Sequence, residues 1–278
     1  MCKEIICRPS MERRVLNVKK IRARIVRERE RRLREQVQKT ASRILAQDEL
    51  AALLHEANAQ SSSTGVSDLD YAFLFNAIKQ LKPRNVLECG TGKSTWVIAL
   101  AMQELERTEP GYRPLLISME HSEFWHRQAQ EIFPFDRFPF VDIRYSPETV
   151  WGHAFLRGTV YQEVPDHPYD FVLVDGPGQA IDGVTARNMD FVRIVLASDR
   201  PVSAIVDSRK STMVAYSVLF GPEKVRFNYP LGLGLVDPVS KADVLLGNTA
   251  VLKRKVFPRL VKRDDQNLFE TGLEGSRP

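Results

Sequence analysis

The chain has 278 residues, of which 43% are hydrophobic and 27% charged, proportions typical of a globular protein with a sizeable core. No apolar run approaches the roughly 20 residues that a membrane helix needs, and the charged N-terminus lacks the apolar region of a signal peptide. Three cysteines form neither a disulfide framework nor a metal-binding spacing. We therefore expect a cytoplasmic protein without a membrane span.

The excess positive charge is confined to the N-terminus. Residues 1–40 contain 14 basic and 5 acidic side chains, whereas the rest of the chain contains 26 basic and 30 acidic ones. From Ser10 to Asn58 there is neither Gly nor Pro and helix formers dominate, which predicts a basic helical arm over residues 1–60. Three roles stay open for it: packing on its own domain or a second subunit, contact of residues 1–40 with nucleic acid, and a disordered tail.

Beyond a Ser-rich break at residues 61–65 the pattern changes to alternating strands and helices, which predicts one domain over residues 61–257. Five strands are predicted at residues 83–88, 115–119, 141–145, 171–174 and 202–206, with helices at 70–81, 94–106, 122–133 and 186–196. Short apolar strands alternating with helices predict a parallel sheet covered on both faces. Residues 225–229 and 250–255 predict a closing hairpin, and residues 258–278 a polar tail.

The most informative stretch follows the first strand, where an acid, Glu88, precedes a turn containing Gly90 and Gly92. Glycine suits a sharp turn that lets a ligand approach the backbone. A phosphate-binding loop would need a glycine where Leu87 stands, inside the strand. The dinucleotide fingerprint would need its third glycine where Thr95 stands, so ATP and NAD are both disfavoured.

Four segments in this order resemble the class I S-adenosylmethionine-dependent methyltransferases, and the likeness covers roughly Asp68 to Lys255. They are the acid-Gly-Gly turn at residues 88–92, the acid-ended second strand at 115–120, the fourth strand with its acidic end at 169–177, and the fifth strand at 202–207. The chief departure is Ser94, where many members have a third glycine. The resemblance implies a Rossmann-like, doubly wound, mostly parallel α/β sheet of about seven strands, here with a long basic N-terminal helical arm.

The resemblance also implies S-adenosylmethionine as cofactor, lying across the carboxyl ends of the strands. The backbone at Gly90 and Gly92 would lie against its methionine tail, with Glu88 near the ammonium group. Glu120 would accept both ribose hydroxyls, and Ser146 would face the adenine. The full set of cofactor residues that the resemblance implies is Glu88, Gly90, Thr91, Gly92, Ser94, Glu120, Ser146 and Asp175.

Asp175 is placed at the mouth of this site, near the methyl group and the acceptor, where it would orient the acceptor, take a proton or ligate a metal. The catechol-type, metal-dependent branch has Asp-Asn after the fifth strand, whereas Asp207-Ser208 stands here. We therefore assign no metal ligand. Asp175, Asp207 and Arg209 are the candidate catalytic residues, whereas His121 is interpreted as a surface or loop histidine.

The sequence thus predicts a methyltransferase acting on a small molecule or carbohydrate. The alternative is a Rossmann-like binding module, or an RNA-directed methyltransferase, that its basic arm recruits to nucleic acid or a partner. Methylation of base amino groups would favour an Asn/Asp-Pro-Pro-aromatic motif after the fourth strand, whereas Asp175-Gly176-Pro177-Gly178 stands there. The acceptor's surroundings are assigned to loops at residues 146–168 and 178–187, and a homo-oligomer remains open.

Overall fold

A computed structural model describes residues 24–25, 28, 31–32, 35–61, 68–177, 187–207, 209–228 and 232–244, and the backbone of Arg259–Leu260. Several predicted features lie outside these residues: most of the arm before residue 35, the strand at 250–255, the C-terminal tail, Ser208, and most of the loop at 178–187. No helix among the described residues is both long enough and apolar enough to cross a membrane.

The described helices and strands alternate along most of the chain. The helices are α1 Asp48–Gln60, α2 Asp68–Leu81, α3 Lys93–Thr108, α4 Glu123–Ile132, α5 Asp190–Ala197 and α6 Lys210–Phe220. The strands are β1 Asn85–Cys89, β2 Leu115–Glu120, β3 Val141–Tyr145, β4 Glu148–His153, β5 Leu156–Tyr161, β6 Phe171–Val174, β7 Val202–Asp207, β8 Val225–Asn228, β9 Leu233–Val239 and β10 Arg259–Leu260.

Eight of these strands form one sheet in the order β10-β8-β9-β7-β6-β1-β2-β3. β9 runs antiparallel to β7 and β8, and the other pairs are parallel. β1 pairs with β2 on one side and with β6 on the other, so the strand order reverses beside β1. In open α/β sheets this reversal leaves a crevice at the carboxyl ends of the strands, where ligands bind.

The predicted mostly parallel, Rossmann-like sheet is therefore confirmed, with β1 and β6 buried because helices cover both faces. Four of the five residues of β1 and all four of β6 are buried. One core cluster packs α2 and α3 against the sheet, and a second packs α5 and α6 against the opposite side.

The sequence predicted one helix up to residue 58, but the structure shows a break in it. Residues 35–45 are helical, the chain turns at Ala46 and Gln47, and α1 starts at Asp48. Gln47 has an extended backbone, with φ −66° and ψ 129°. The turn re-aims the chain so that the apolar side of α1 packs beside α3. Leu50, Leu53 and Ala57 are fully buried in the same core as the sheet, so α1 is part of one packed unit with residues 68–244.

The end of the sheet also differs from the prediction. β8 pairs with β9 at Leu233–Val239, a strand that the sequence analysis did not predict. β9 contains Gly234 and Pro238, residue types that weaken a strand pattern, and the sequence reasoning missed it for that reason. A side chain at Gly234 would overlap the Sδ atom of Met213, at 2.1 Å, so α6 packs directly on this strand.

Residues 146–168, predicted as a loop, contain the antiparallel hairpin β4–β5, which forms a separate two-stranded sheet. Backbone hydrogen bonds to the segment that precedes α5 hold the hairpin in position. Thr159 exchanges backbone hydrogen bonds with Arg187 and Met189, both shorter than 3 Å, and a side chain at Gly158 would collide with the Arg187 carbonyl. The hairpin is therefore locked beside the carboxyl ends of the main strands.

Candidate active site

The two-glycine turn after β1 packs directly on the turn after β6. Gly90 has φ +106°, and a Cβ atom there would lie 2.9 Å from the backbone nitrogen of Gly176. The Cys89 carbonyl accepts the amide of Asp175 at 2.8 Å and that of Gly176, while the Gly90 amide donates to the Met119 carbonyl at 2.9 Å. The ends of β1, β2 and β6 are thereby tied together at the point where the strand order reverses.

Glu88 lies inside this turn and is fully buried. Its carboxylate accepts hydrogen bonds from the hydroxyls of Ser94, Thr95 and Ser118, each 2.6 Å long. These bonds join the end of β1 to the first turn of α3 and to β2. These three bonds give Glu88 a role inside the protein, and its contact with the ammonium group of a cofactor stays a prediction.

Burial raises the pKa of Glu88 from its ordinary value of 4.5 to about 7, against the opposing effect of the three hydroxyls. A carboxyl whose pKa is higher in the folded than in the unfolded chain stabilises the fold while protonated. Its contribution is complete below pH 4.5 and is lost as the pH rises to about 7.

Glu88→Gln mimics the protonated carboxyl at every pH. We expect its free energy of unfolding to match that of the unmodified chain at pH 4 and to exceed it by roughly 1–3 kcal/mol at pH 8. Urea unfolding at the two pH values measures this difference, with the exposed Glu123→Gln as control. Parallel pH profiles for Glu88→Gln and the unmodified chain would exclude the titration of Glu88.

Glu120 ends β2 and is also buried, with 5% of its surface exposed. Its Oε1 atom accepts the backbone amide of Ser122 at 2.8 Å and lies 3.1 Å from Nδ1 of His121. The carboxylate stands at the same edge of the sheet as the glycine turn, because β1 and β2 are parallel and in register from Asn85 opposite Leu115 onward. This position suits recognition of a ligand across the strand ends.

The other predicted cofactor residues fall into two groups. Ser94 and Ser146 are 2% exposed, and their hydroxyls are used inside the protein. Ser94 donates to Glu88, and the Ser146 hydroxyl accepts the Glu163 amide at 3.0 Å, so the contact of Ser146 with adenine stays a prediction. Thr91 is partly exposed and lines, with Gly92, a small cavity of about 20 Å³ beside Trp125.

The three predicted catalytic residues come together at the ends of β6 and β7. Asp175, Asp207 and Ser94 line a second cavity of about 20 Å³. Burial and the neighbouring carboxylate of Asp207 raise the pKa of Asp175 from 3.8 to about 7. Arg209 donates to the carbonyls of Asp175 and Pro177, the latter at 2.9 Å, and so holds the turn after β6. Within the described part of the chain, no group of three potential metal ligands has suitable geometry.

The glycine turn and the carboxylate that ends β2 both lie where the strand order of the sheet reverses. The chain has a Rossmann-like, mostly parallel α/β fold.

No family model matches the sequence, and no curated protein matches it either. Among solved structures, a methyltransferase-like protein from Silicibacter pomeroyi is similar, with a TM-score of 0.38 and 20% identity over 68% of this chain and 94% of that one. A methyltransferase from Geobacter sulfurreducens has a TM-score of 0.41 and 10% identity over 68% and 88% of the two chains. The strand order, and not these distant similarities, defines the fold.

Sequence reasoning missed a buried network beneath the turn after β6. Asn188 is fully buried and donates to the Gly176 carbonyl at 2.7 Å and to Asp190 at 3.1 Å. Asp190, also fully buried, accepts the Tyr161 amide at 3.2 Å and pairs with Arg193 at 2.8 Å. These residues precede and begin α5 and match no motif, so only the folded arrangement reveals that they support Gly176.

Sequence reasoning also missed the arrangement of His121 and Glu148 beside Glu120. His121, interpreted from the sequence as a surface or loop histidine, is 26% exposed in its side chain and lies between two carboxylates. Its Nε2 atom is 3.8 Å from Oε1 of Glu148, at the start of β4. Glu148 lay in a stretch predicted as loop, and without the hairpin its position relative to His121 was not predictable.

Proposed function

We propose that this chain is an S-adenosylmethionine-dependent methyltransferase that acts on a small-molecule or carbohydrate acceptor. The observation that carries the proposal is the position of Glu120, at the carboxyl end of β2 and beside the Gly90 turn, where the strand order reverses. In a doubly wound sheet that point is where nucleotide-like ligands bind, and a strand-end carboxylate suits their ribose hydroxyls.

The glycine turn and Glu120 are the residues at this edge that would hold such a cofactor. The backbone at Gly90, Thr91 and Gly92 would lie beside the methionine tail, and Glu120 would hold the ribose. The absence of a side chain at Gly90 is required by the close approach of Gly176, which also keeps this bend narrow. When bound, the cofactor supplies a methyl group already activated by the positive sulfur.

The chain's own residues then need to align an acceptor and manage its proton. Alignment of reacting groups supplies much of the rate in a transfer of this kind. Asp175, with its pKa raised to about 7, accepts a proton near neutral pH. Arg209 fixes the carbonyls of Asp175 and Pro177, so it holds the turn that presents the carboxyl.

No observation favours the alternative of a nucleic-acid module. In the described part of the arm, Arg31 and Arg32 pair with Glu28, and Arg31 also with Glu35, so these arginines are balanced along the helix itself. Recruitment of RNA through residues 1–40 remains a separate hypothesis. Binding that weakens with salt and disappears when those residues are deleted would support it. A cytoplasmic location is likewise part of the proposal.

Thermal unfolding with and without S-adenosylhomocysteine tests the proposed function. We expect the melting temperature to rise with S-adenosylhomocysteine and to stay unchanged with ATP or NAD, because only a ligand that binds the folded state stabilises it. Tritium from labelled cofactor should then enter a low-molecular-weight fraction when a metabolite extract is added. Stabilisation by NAD or ATP alone would contradict the proposal.

A further inference from the structure

The β4–β5 hairpin is fastened to the end of β2 on both sides of Glu120. The Ser146 amide, just before the hairpin, donates to the Glu120 carbonyl at 2.9 Å. The Tyr161 hydroxyl, at the end of the hairpin, donates to the Met119 carbonyl at 3.0 Å. The hairpin therefore holds the two consecutive residues that end β2.

The register of the hairpin aims Glu148 at the same place. Glu148 pairs with Tyr161 across the two strands, and directly opposed residues of an antiparallel pair project from the same face. The side chain of Glu148 is 13% exposed, and its Oε1 atom is 3.8 Å from His121 Nε2. Nδ1 of the same imidazole is 3.1 Å from Glu120 Oε1. One ring thus bridges the hairpin and the carboxylate assigned to the ribose.

The second carboxylate oxygen of Glu148 shows why this carboxylate needs a positive group beside it. Its Oε2 atom is buried and has no hydrogen-bond partner among the described residues. A largely buried carboxylate with so few donors is costly unless a positive group lies nearby. His121 is the cation in closest contact with it, and Arg209 adds a weaker, longer-range attraction.

We propose that His121 and Glu148 are positioning residues: Glu148 holds the imidazole of His121 against Glu120, and the charge on that imidazole sets how freely Glu120 accepts the ribose hydroxyls of the cofactor. This rests on the proposed function. The charged ring forms an ion pair with Glu120 Oε1 at 3.1 Å and so competes with a ribose hydroxyl for that oxygen. It also repels the positive sulfur of the cofactor. The neutral ring does neither, so cofactor affinity increases when His121 loses its proton.

The groups around the ring determine where this change occurs. Contact with Glu120 raises the pKa of His121 most, Glu148 raises it further, and burial and Arg209 lower it. These are the charged groups that face the ring from β2, from β4 and from the segment before α6. Removing the charge of Glu148 therefore lowers the pKa of His121 and moves the affinity change to lower pH.

The test combines two measurements on the full chain. The pKa of His121 is measured by NMR titration of the histidine side chains, with His121→Gln identifying its signal. Calorimetric titrations from pH 5.5 to 8.5 then give the affinity for S-adenosylmethionine and S-adenosylhomocysteine. We expect the affinity for S-adenosylmethionine to rise on the order of tenfold across this range, which is the effect of about 1.4 kcal/mol, and less for the uncharged S-adenosylhomocysteine.

Two variants and one control separate positioning from a structural role. Glu148→Gln should lower the pKa of His121 and shift the affinity profile to lower pH, leaving the high-pH affinity unchanged. His121→Gln should keep high affinity throughout and lose this component of the pH dependence. The comparison with His121→Gln is decisive because Glu88 and Asp175 also titrate near pH 7. Glu123→Gln, an exposed acid on α4, should behave as the unmodified chain.

Each outcome distinguishes the hypotheses. If neither ligand binds the unmodified chain at any pH, the proposed function is wrong and this inference falls with it. If the ligands bind but His121→Gln retains the full pH dependence, or Glu148→Gln leaves the pKa of His121 unchanged, the positioning role alone is wrong. Variants that only lower the melting temperature, with unaltered pH profiles, would equally overturn it.

Discussion

Gly90→Ala is expected to lower the free energy of unfolding by about 3 kcal/mol or more and to abolish cofactor binding. Two costs add at this position. The backbone has φ +106°, which an alanine rarely adopts and which costs roughly 1–3 kcal/mol. The new Cβ would also stand 2.9 Å from Gly176 N and 3.1 Å from the Asp175 carbonyl carbon, so the turns after β1 and β6 must separate. Such forced displacement costs roughly another 1–3 kcal/mol.

Gly111→Ala is the matched control because it isolates the first of these costs. Gly111 has φ +74°, and a Cβ atom there would meet nothing within 4 Å. We expect a loss of about 1–2 kcal/mol, from backbone strain alone, with cofactor binding intact. Urea unfolding and calorimetry on both variants provide the comparison. Equal losses for the two would mean that the contact between Gly90 and Gly176 has no energetic importance.

Glu120→Gln is expected to weaken binding of S-adenosylhomocysteine by at least about 100-fold. Hydrogen bonds to a charged group contribute roughly 1.5–3 kcal/mol each, and the carboxylate would accept two from the ribose. Glutamine keeps the shape of the side chain and one acceptor oxygen, which can still accept the Ser122 amide. It lacks the negative charge and the second acceptor oxygen. The loss should therefore appear in affinity far more than in folding stability.

Glu123→Gln, three residues later on α4, is the control for a general effect of removing negative charge. Glu123 forms an exposed ion pair with Arg127 on the helix surface, and such pairs contribute little energy. Its neutralisation should therefore leave affinity within about twofold of the unmodified chain. Calorimetry at pH 7.5 measures both variants. Unchanged affinity in Glu120→Gln would remove the ribose assignment and, with it, the observation on which the proposed function rests.

The turn after β1 shows how far the sequence can specify a site. The order of acid, glycine and glycine after an apolar strand predicted a sharp turn at a ligand-binding edge, and the sheet has this turn at the point where its strand order reverses. The pattern could not determine the direction of the Glu88 side chain. Hydroxyls at Ser94, Thr95 and Ser118 come from two different elements, and only their convergence buries the carboxylate.

The predicted group of Asp175, Asp207 and Arg209 illustrates what parallel strands make predictable. Residues that end neighbouring parallel strands lie at one edge of the sheet, and Asp175 and Asp207 share a cavity there. The role of Arg209 was not predictable in detail. Its guanidinium bonds the backbone of the turn after β6, a contact that depends on the path of the chain between β7 and α6.

By itself, the sequence determined the alternation of strands and helices, the class of the sheet and the edge at which the candidate site residues lie. These features follow from local periodicity and from the backbone freedom of glycine. Only the tertiary structure decided the bend before α1, the pairing of β8 with β9, and the hairpin that brings Glu148 to His121. Those features depend on contacts between residues far apart in the chain, whose net stabilisation no local pattern encodes.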